Sequence, residues 1–415
     1  MACTVALAFG SALAGDLTPP VGPVSSTMKP LTDVEPRTAV NAENTPGDAD
    51  SVFRIVEPGS YYLTGDVGAL AGEHGIQIAS SDVTLDLNGF SIHVSAPGTL
   101  TGVHVEGQQV SLEIKNGNIR GFNDGGIGGG PLVRARVIDM RVTNILGVGV
   151  TLGANSTIRD CTLDSNDSGN VVIGDFSIIE SCTATNSANG LGISTGTGCT
   201  LRNCVANGNG AGGIAASSVC QIDACTARSN TGNGISAGTS SIISQSTSSV
   251  NSSHGIVGGT YCNIIDCSAD LNTLSGIRAT NRNKVSNCSA NDNNQHGVHI
   301  TFAGVVESCF LAKNTINGIR MDDGGATTIQ NNTISESQIG IAVRVGGGNR
   351  IEGNSVTFCS ASGIDVATIQ NCIIRNYGAN QPSDYVVIAN NIFGPIVTTG
   401  TVGASNNPHS NYQFP

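Results

Sequence analysis

A repeat of 21 residues in the middle of the chain restricts its fold more than any other feature. Glycine followed by isoleucine or valine recurs every 21 residues from Gly192 to Gly318, and twice more after steps of 22 and 23. The glycines of this column are Gly192, Gly213, Gly234, Gly255, Gly276, Gly297, Gly318, Gly340 and Gly363. A fixed period of this length indicates a repeat architecture, in which each unit forms one layer of a stack.

Three more columns keep the same period. The first is mostly cysteine: Cys161, Cys182, Cys204, Cys225, Ser246, Cys267, Cys288, Cys309, Asn332 and Asn354. The second is aliphatic and lies three positions earlier: Ile158, Ile179, Leu201, Ile222, Ile243, Ile264, Val285, Val306, Ile329 and Ile351. The third is asparagine and lies five positions after the first: Asn166, Asn209, Asn230, Asn251, Asn272, Asn293 and Asn314. Four columns in phase predict that the units stack in register.

Each unit consists of short segments in which apolar residues alternate, as Ile277 and Ala279 do. This alternation is typical of strands, and the segments are too rich in Gly, Ser and Asn for helices. No unit can bury its own apolar face, so we expect parallel strands stacked about 4.8 Å apart around small interior residues. We expect the column asparagines to take the left-handed turn conformation and to bond to their stacked neighbours.

The period also excludes two related solenoids. A leucine-rich repeat needs an LxxLxL face, and a left-handed hexapeptide helix repeats about every 18 residues; the chain has neither pattern. The sequence therefore predicts an all-β fold, a right-handed parallel β-helix with a single chain winding through about 14 coils of about 21 residues.

The Asn-(x)3-Gly-Ile units resemble the parallel β-helix repeats of the pectate-lyase-like superfamily. The segments FRIVEPGSYYLTGDV and GIQIASSDVTLDLNGFSI resemble the first coils of secreted bacterial right-handed β-helix repeat proteins, many of them uncharacterised. The resemblance covers about residues 50–400. It implies the fold and an association with carbohydrate. The same fold hosts lyases, hydrolases, epimerases, adhesins and inert spacers, so it does not decide between them.

Four segments follow from these patterns. Residues 1–14 end in Ala12-Leu13-Ala14 and are interpreted as the remnant of a signal peptide, which predicts a protein secreted by a bacterium or held in its cell envelope. Residues 15–50 are proline-rich and predicted to form an extended arm. Residues 51–390 are predicted to form the β-helix, and residues 391–415 its C-terminal cap or tail.

Charge and composition exclude some partners. Lys and Arg number 19 against 31 Asp and Glu, a net charge of −12, which argues against nucleic acid as a partner. No run of 18 apolar residues occurs, so no helix is predicted to span a membrane. The expected partner is a polysaccharide or a cell-surface glycan, and the oligomeric state stays open.

Thirteen cysteines raise the question of a disulfide framework. Three repeats carry a Cys-x4-Cys pair, for example Cys199 and Cys204. The cysteines alternate with Ser and Asn within columns, as small interior residues do, so buried free thiols are predicted. Interior disulfides between neighbouring coils and a metal site are the alternatives.

One polar patch is predicted from the register of the coils. The position after each Gly-Ile mark points outward, which places Arg278, His299 and Arg320 in one column as candidate catalytic residues. The candidate substrate-binding residues around them are Thr280, Thr301, Arg344 and Asp365. Arginines can clamp a uronate carboxylate, and histidine can carry the proton in β-elimination.

No cofactor is required for this chemistry, but calcium is a candidate because its ligands are oxygens. Asp322 and Asp323, with Asp365, are the predicted calcium ligands. A second, weaker candidate site combines His104, Glu106, Asp124, Arg134 and Arg136 near the N-terminal end.

The motifs of known enzymes with this fold are missing. Asp322-Asp323 follows the two histidine–glycine pairs at His254 and His296, which is the reverse of the polygalacturonase order, and the Arg-x-Pro-x-x-Arg segment of pectate lyases is absent. Whether the chain is an enzyme stays open, with polysaccharide lyase and glycoside hydrolase as the candidate activities. The predicted function is association with, or processing of, a polysaccharide, in particular an acidic glycan. The alternative is a non-catalytic structural or adhesive extracellular rod.

Overall fold

The computed structural model describes residues 36–96, 98–323 and 325–415. Every long-range strand pairing in it is parallel, and the strands fall into three faces that the chain visits in turn. The first face has 16 strands: Ser51–Ile55, His74–Ile78, Thr101–Val105, Gly125–Gly129, Val148–Leu152, Gly169–Ile173, Leu191–Thr195, Gly212–Ala216, Ile235–Ala237, Ile256–Gly258, Ile277–Asn281, His296–Phe302, Asn317–Met321, Ile339–Val343, Ser362–Val366 and Ser383–Val387. The prediction of an all-β parallel solenoid is confirmed.

The other strands form the second and third faces. The second contains Thr38–Val40, Gly59–Leu63, Val83–Asp86, Glu113–Arg120, Arg136–Thr143, Thr157–Arg159, Ile178–Glu180, Thr200–Arg202, Gln221–Asp223, Ile242–Ser244, Asn263–Ile265, Lys284–Ser286, Val305–Glu307, Thr328–Gln330, Arg350–Glu352, Cys372–Ile374 and Ile392–Phe393. The third contains Val67–Ala69, Ser91–Val94, Thr162–Asp164, Thr183–Thr185, Val205–Asn207, Thr226–Arg228, Thr247–Ser249, Ser268–Asp270, Phe310–Ala312, Thr333–Ser335, Ser355–Thr357, Tyr377–Ala379, Ile396–Val397 and Asn411–Phe414. Glu113–Arg120 and Arg136–Thr143 continue into the third face, and Val402–Ala404 is a 3-10 turn.

The number of coils is sixteen, not about fourteen. Three strands of the first face lack glycine at the column position, where they carry Val52, Asn170 and Asp384. A count based on glycine therefore underestimates the strands, because backbone pairing does not depend on that side chain.

In most coils the three turns use the left-handed backbone conformation. In one coil the residues with positive φ are Arg282, Asn287 and Asp292, each at 54°. Each directly precedes a buried residue that closes the corner, for example Asn293 after Asp292. The prediction that the column asparagines themselves adopt this conformation is wrong. The turn lies one residue earlier, which leaves the asparagine side chain directed into the interior.

Inside the solenoid the asparagines form a continuous hydrogen-bonded column. The Nδ2 atom of each donates to the Oδ1 atom of the asparagine in the next coil, at 3.0–3.1 Å, from Asn209 to Asn314. The backbone N–H of Asn230 also donates to Asn251 Oδ1, which establishes which amide atom is the oxygen. The predicted bonding between stacked asparagines is confirmed, and it satisfies polar groups that are otherwise costly to bury.

Stacked aliphatic and small side chains fill the rest of the interior. Ile256, Ile277 and Val298 in the first face and Ile264 and Val285 in the second have no exposed surface. Twelve described cysteines are free; eleven of them are buried and Cys372 is partly exposed. The column cysteines thus act as small apolar residues.

The described part of the solenoid begins within the segment predicted as an arm. Thr38–Val40 pairs with Gly59–Leu63, so residues 38–40 already belong to a coil. At the other end, Asn411–Phe414 pairs with Tyr377–Ala379, so part of the predicted tail adds a further layer. The predicted signal peptide, residues 1–14, lies outside the described residues. In the described ranges no helix is long and apolar enough to cross a membrane.

Candidate functional site

Arg278, His299 and Arg320 lie side by side on three consecutive strands of the first face. Arg278 is in register with His299, and His299 with Arg320. Because side chains alternate along a strand, Ile319 and Met321 point into the core while Arg320 lies on the outer side. The register derived from the glycine column therefore places these three residues together, and we call them the arginine–histidine column.

Asp322 links two members of this column. His299 Nε2 lies 2.8 Å from Asp322 Oδ2, and Arg320 Nε donates to Asp322 Oδ1. Burial lowers the pKa of His299, although Asp322 opposes the shift. Burial raises the pKa of the Asp322 carboxyl, but the hydrogen bonds and charges of Arg320 and His299 outweigh it, and the pKa lies below its ordinary value. At neutral pH the pair is therefore a carboxylate that accepts a hydrogen bond from a neutral imidazole.

This pairing leaves the other ring nitrogen of His299 as an acceptor. A neutral imidazole carries one proton, and the Nε2–H bond to Asp322 places it there. In the described part of the chain His299 Nδ1 takes part in no hydrogen bond. The side chain of His299 retains 16% exposure, so the ring is accessible from one side. The arrangement provides an oriented base.

Arg278 differs from its neighbours because nothing neutralises it. Arg320 pairs with Asp322, and Arg344 with Asp365 at 2.8 Å. Among the described residues no acidic side chain forms an ion pair with Arg278, and its Nε atom is buried without a hydrogen-bond partner. A guanidinium in this state favours an anion, which would supply both a charge and an acceptor.

A second polar column runs beside the first and was not predicted from the sequence. It consists of the residues directly before the column glycines, namely Asn233, His254, Ser275, His296 and Asn317. The backbone N–H of Ser275 donates to His254 Nδ1, and Asn317 Nδ2 lies 3.1 Å from His296 Nδ1. The rings of His296 and His299 meet edge to face with centroids 5.3 Å apart. Five consecutive polar residues at one repeat position are the signal that would have revealed this column.

The histidines of the second column are neutral at physiological pH. Burial, together with the positive charge of Arg278, lowers the pKa of His254 to about 4. Burial and the neighbouring His299 and Arg320 lower the pKa of His296 to about 4 as well. The column therefore offers hydrogen bonds without charge. Ser275 Oγ and Asn317 Oδ1 are buried and have no partner among the described residues.

The predicted substrate-binding residues fall into two groups. The hydroxyls of Thr280 and Thr301 donate to backbone carbonyls, Thr301 to Thr280 O at 2.6 Å, which leaves them only acceptor capacity. Arg344 and Asp365 bind each other. Their coils lie three and four strands from that of Arg278, so the two residues are beyond the arginine–histidine column rather than within it.

The carboxylates predicted to bind calcium have other partners. Asp322 is bonded to Arg320 and His299, and Asp365 is bonded to Arg344. The third of these carboxylates, Asp323, is exposed. Within residues 36–96, 98–323 and 325–415, no three His, Cys, Asp or Glu side chains are placed to hold a metal ion. A cation at Asp322 would have to displace both an arginine and a histidine.

The structure does not bring the residues of the second candidate site together. His104 stacks on His74 with centroids 4.1 Å apart, and Glu106 pairs with Arg54, both on the first face. Arg136 instead begins a strand of the second face, where it pairs with Glu113 at 2.9 Å. The predicted cluster is therefore divided between two faces.

The parallel strands, the stacked interior columns and a charged site on one outer face define the class: a parallel β-helix. The family model described as the right handed beta helix region matches residues 146–258, 172–320 and 317–408, more than half of the chain, and the chain belongs to this family. The predicted right-handed parallel β-helix is thereby confirmed. No curated protein matches the chain.

Several solved structures share the fold. The A-module of the Azotobacter vinelandii mannuronan C-5 epimerase AlgE6 is 13% identical over 86% of this chain and 90% of its own, with a TM-score of 0.43. The pectate lyase Pel9A is 13% identical over 62% and 69%, with a TM-score of 0.37. A mutant tailspike protein of E. coli bacteriophage HK620, in complex with a pentasaccharide, is 12% identical over 94% and 81%, with a TM-score of 0.46. At these identities the similarity concerns the backbone and not the activity.

Proposed function

We propose that this protein binds an acidic polysaccharide on its first face, at the arginine–histidine column. The observation that carries the proposal is the unpaired guanidinium of Arg278, whose Nε atom is buried without a partner. A carboxylate of the polysaccharide would bond to the exposed part of this partly exposed guanidinium and neutralise its charge.

The spacing of the column suits a polymer rather than a single anion. Arg278 and Arg320 are two strands apart, which corresponds to about 10 Å. A glycan with regularly spaced carboxylates can meet both arginines at once. The net charge of −12 disfavours the approach of a polyanion elsewhere on the molecule, so binding depends on this local positive region.

Cleavage by β-elimination is a second candidate function, and the His299–Asp322 pair favours it. His299 Nδ1 would remove the proton beside the carboxylate of a uronate residue, as the Nε2–H bond to Asp322 holds the ring. The released electron pair forms a double bond as the glycosidic C–O bond breaks, and the leaving oxygen takes up a proton. Arg278 would stabilise the negative charge that develops on the carboxylate. No metal ion is part of this proposal.

Binding to polygalacturonate, alginate and hyaluronan, with dextran as the neutral control, tests the first function. We expect saturable binding to at least one polyuronide that weakens with salt, and at least a tenfold loss of affinity in Arg278→Ala. The matched control is Arg228→Ala, an exposed arginine on the third face, which should stay within about twofold of the parent. Equal affinity in Arg278→Ala and the parent would overturn the proposal.

Ultraviolet detection of unsaturated uronate products on the same panel tests the second function. A signal that disappears in His299→Ala and drops in Asp322→Asn would establish elimination. Binding without any product would leave a glycan-binding protein. Neither binding nor product on any polymer would favour a structural or adhesive rod. Secretion, which we infer from residues 1–14, is tested by sequencing the N-terminus of exported protein.

A further inference from the structure

A cavity of about 550 Å³ lies at the C-terminal end of the solenoid, away from the arginine–histidine column. Its lining comes from the loop before the strand Ser383–Val387, from the residues after Ile396–Val397, and from the strand Asn411–Phe414. The side chains that matter most are Gln381, Asp384, Thr398, Gln413 and Phe414. Its volume is in the range of small-molecule sites, about 300–1,000 Å³.

Asp384 occupies a position that glycine fills in most of the coils before it. The register of Ser362–Val366 with Ser383–Val387 aligns Gly363 with Asp384. A Cβ atom at Gly363 would lie 2.5 Å from the Asp384 carbonyl oxygen, because the next strand stacks directly on it. Ser383–Val387 is the last strand of the first face, so no such carbonyl faces Asp384 and a side chain fits there.

The carboxyl of Asp384 is buried and only partly bonded. The residue is 4% exposed, and its Oδ1 atom has no hydrogen-bond partner among the described residues. Burial raises the pKa of Asp384, against hydrogen bonds from Gln381 and Gln413 that lower it. A buried acceptor without a donor costs free energy, so such a group in a native cavity calls for a ligand that supplies the donor.

The lining restricts the chemistry of that ligand. It contains a carboxyl, amide and hydroxyl side chains and one aromatic ring, and no lysine, arginine or histidine. An anion would find no counter-charge beside Asp384. A molecule with several hydroxyl groups would donate to Asp384 Oδ1, exchange hydrogen bonds with Gln381, Gln413 and Thr398, and pack its C–H face on Phe414.

We propose that this cavity is a binding site for a neutral sugar residue, with Asp384 Oδ1 as the acceptor that selects it. The site is independent of the proposed function on the first face, since it shares none of its residues and favours a ligand without charge. The sugar is either a free monosaccharide or one end of a neutral glycan, and both present the same hydroxyl pattern to Asp384.

Saturation-transfer NMR and calorimetry on the full chain test this site. The probes are glucose, galactose, rhamnose and N-acetylglucosamine, with maltotriose to distinguish a glycan end from a free monosaccharide. We expect saturable binding of at least one probe, at least a tenfold loss in Asp384→Asn, and no change in Arg228→Ala, the exposed arginine on the third face. Tighter binding of maltotriose than of glucose would assign the site to a glycan end.

The proposal would be overturned if no probe bound saturably at concentrations up to about 0.1 M, or if Asp384→Asn left the binding unchanged. Asparagine has nearly the same shape as aspartate and loses only the charge and one acceptor, so the variant should fold; Phe414→Leu provides a second test. Dimerisation through this end, seen by sedimentation and lost in Asp384→Asn, would also contradict a sugar site.

Discussion

His299 Nε2 lies 2.8 Å from Asp322 Oδ2, and the two residues come from consecutive coils of the first face. Stacking in register is therefore what creates the pair, because 23 positions separate them in the chain. The pair holds the imidazole in one tautomer and directs Nδ1 away from the carboxylate. A substitution at Asp322 should consequently change the pKa of His299.

Asp322→Asn should lower the pKa of His299 by about one unit. Burial already lowers this pKa, and the carboxylate of Asp322 is the main opposing effect, so its removal leaves burial and the neighbouring arginines to act alone. NMR titration of the His299 ring measures the shift. The exposed neighbour provides a control, since Asp323→Asn should leave the titration nearly unchanged. An unaltered pKa in Asp322→Asn would show that the pair does not form in solution.

Acid should destabilise the fold through His254 and His296. Their folded pKa values of about 4 lie below the ordinary 6.5, so the unfolded chain binds more protons between these limits. The stability associated with the neutral rings is complete above pH 6.5 and is lost as the pH falls toward 4. At pH 5 we expect a loss on the order of 1–2 kcal/mol for each histidine, measured by urea unfolding.

The double variant His254→Asn/His296→Asn isolates this contribution. Asparagine already occupies the same column at Asn233 and Asn317, and Asn233 Oδ1 accepts from the backbone there, so the replacement preserves the bonding. Relative to the parent, its stability should fall less between pH 7 and pH 5. Identical pH profiles for the two proteins would mean that these histidines are charged or exposed in the folded state.

Asn272→Ala should destabilise the protein by roughly 3–4 kcal/mol. Asn272 Oδ1 accepts from the backbone and the side chain of Asn251, and its Nδ2 donates to Asn293, so alanine leaves buried groups unpaired on both sides. Denaturant unfolding measures the loss. Asn294→Ala, directly after the column residue Asn293 and exposed, should change stability by no more than about 0.5 kcal/mol.

Gly213→Ala should cost about 2–3 kcal/mol because the coils stack too closely for a methyl group. A Cβ atom there would lie 2.4 Å from the carbonyl oxygen of Gly234 and 2.8 Å from Asn230 Nδ2. Gly65→Ala is the matched control, since nothing lies within 4 Å of the added atom. Thermal unfolding should separate the two variants clearly, and equal melting temperatures would contradict the stacking distance.

The thiols should fall into two groups by their reactivity toward a thiol reagent. In a Cys3→Ser variant, only the partly exposed Cys372 should react with a thiol reagent in the native state, while eleven buried thiols should stay unreactive. After denaturation without reductant, all twelve should react. Fewer than twelve reactive thiols would reveal interior disulfides. This is the alternative that remained open for the columns in which cysteine alternates with Ser and Asn.

The periodicity of the sequence was sufficient to predict the coils, the interior columns and the arginine–histidine column, because all three depend only on register. It could not locate the strands at Val52, Asn170 and Asp384, where the glycine that defined the register is replaced.

The second polar column was missed for a geometric reason. Strict alternation places residues three apart on opposite sides of a strand, yet the rings of His296 and His299 meet at 5.3 Å. His296 is the first residue of its strand, directly after the turn, where alternation does not yet hold. The ion pairs of Arg320 and Arg344 were equally beyond prediction, because they depend on side-chain conformation rather than on register.

The asparagine column also makes the solenoid electrically polar. From Asn209 to Asn293 every amide donates one N–H to the next coil and accepts through its oxygen from the previous one, so the side-chain dipoles add as peptide dipoles do in a helix. The positive end of this array lies at Asn314, directly before the strand that carries Arg320. The interior of the molecule thus adds to the potential that would draw an anion to that end of the first face.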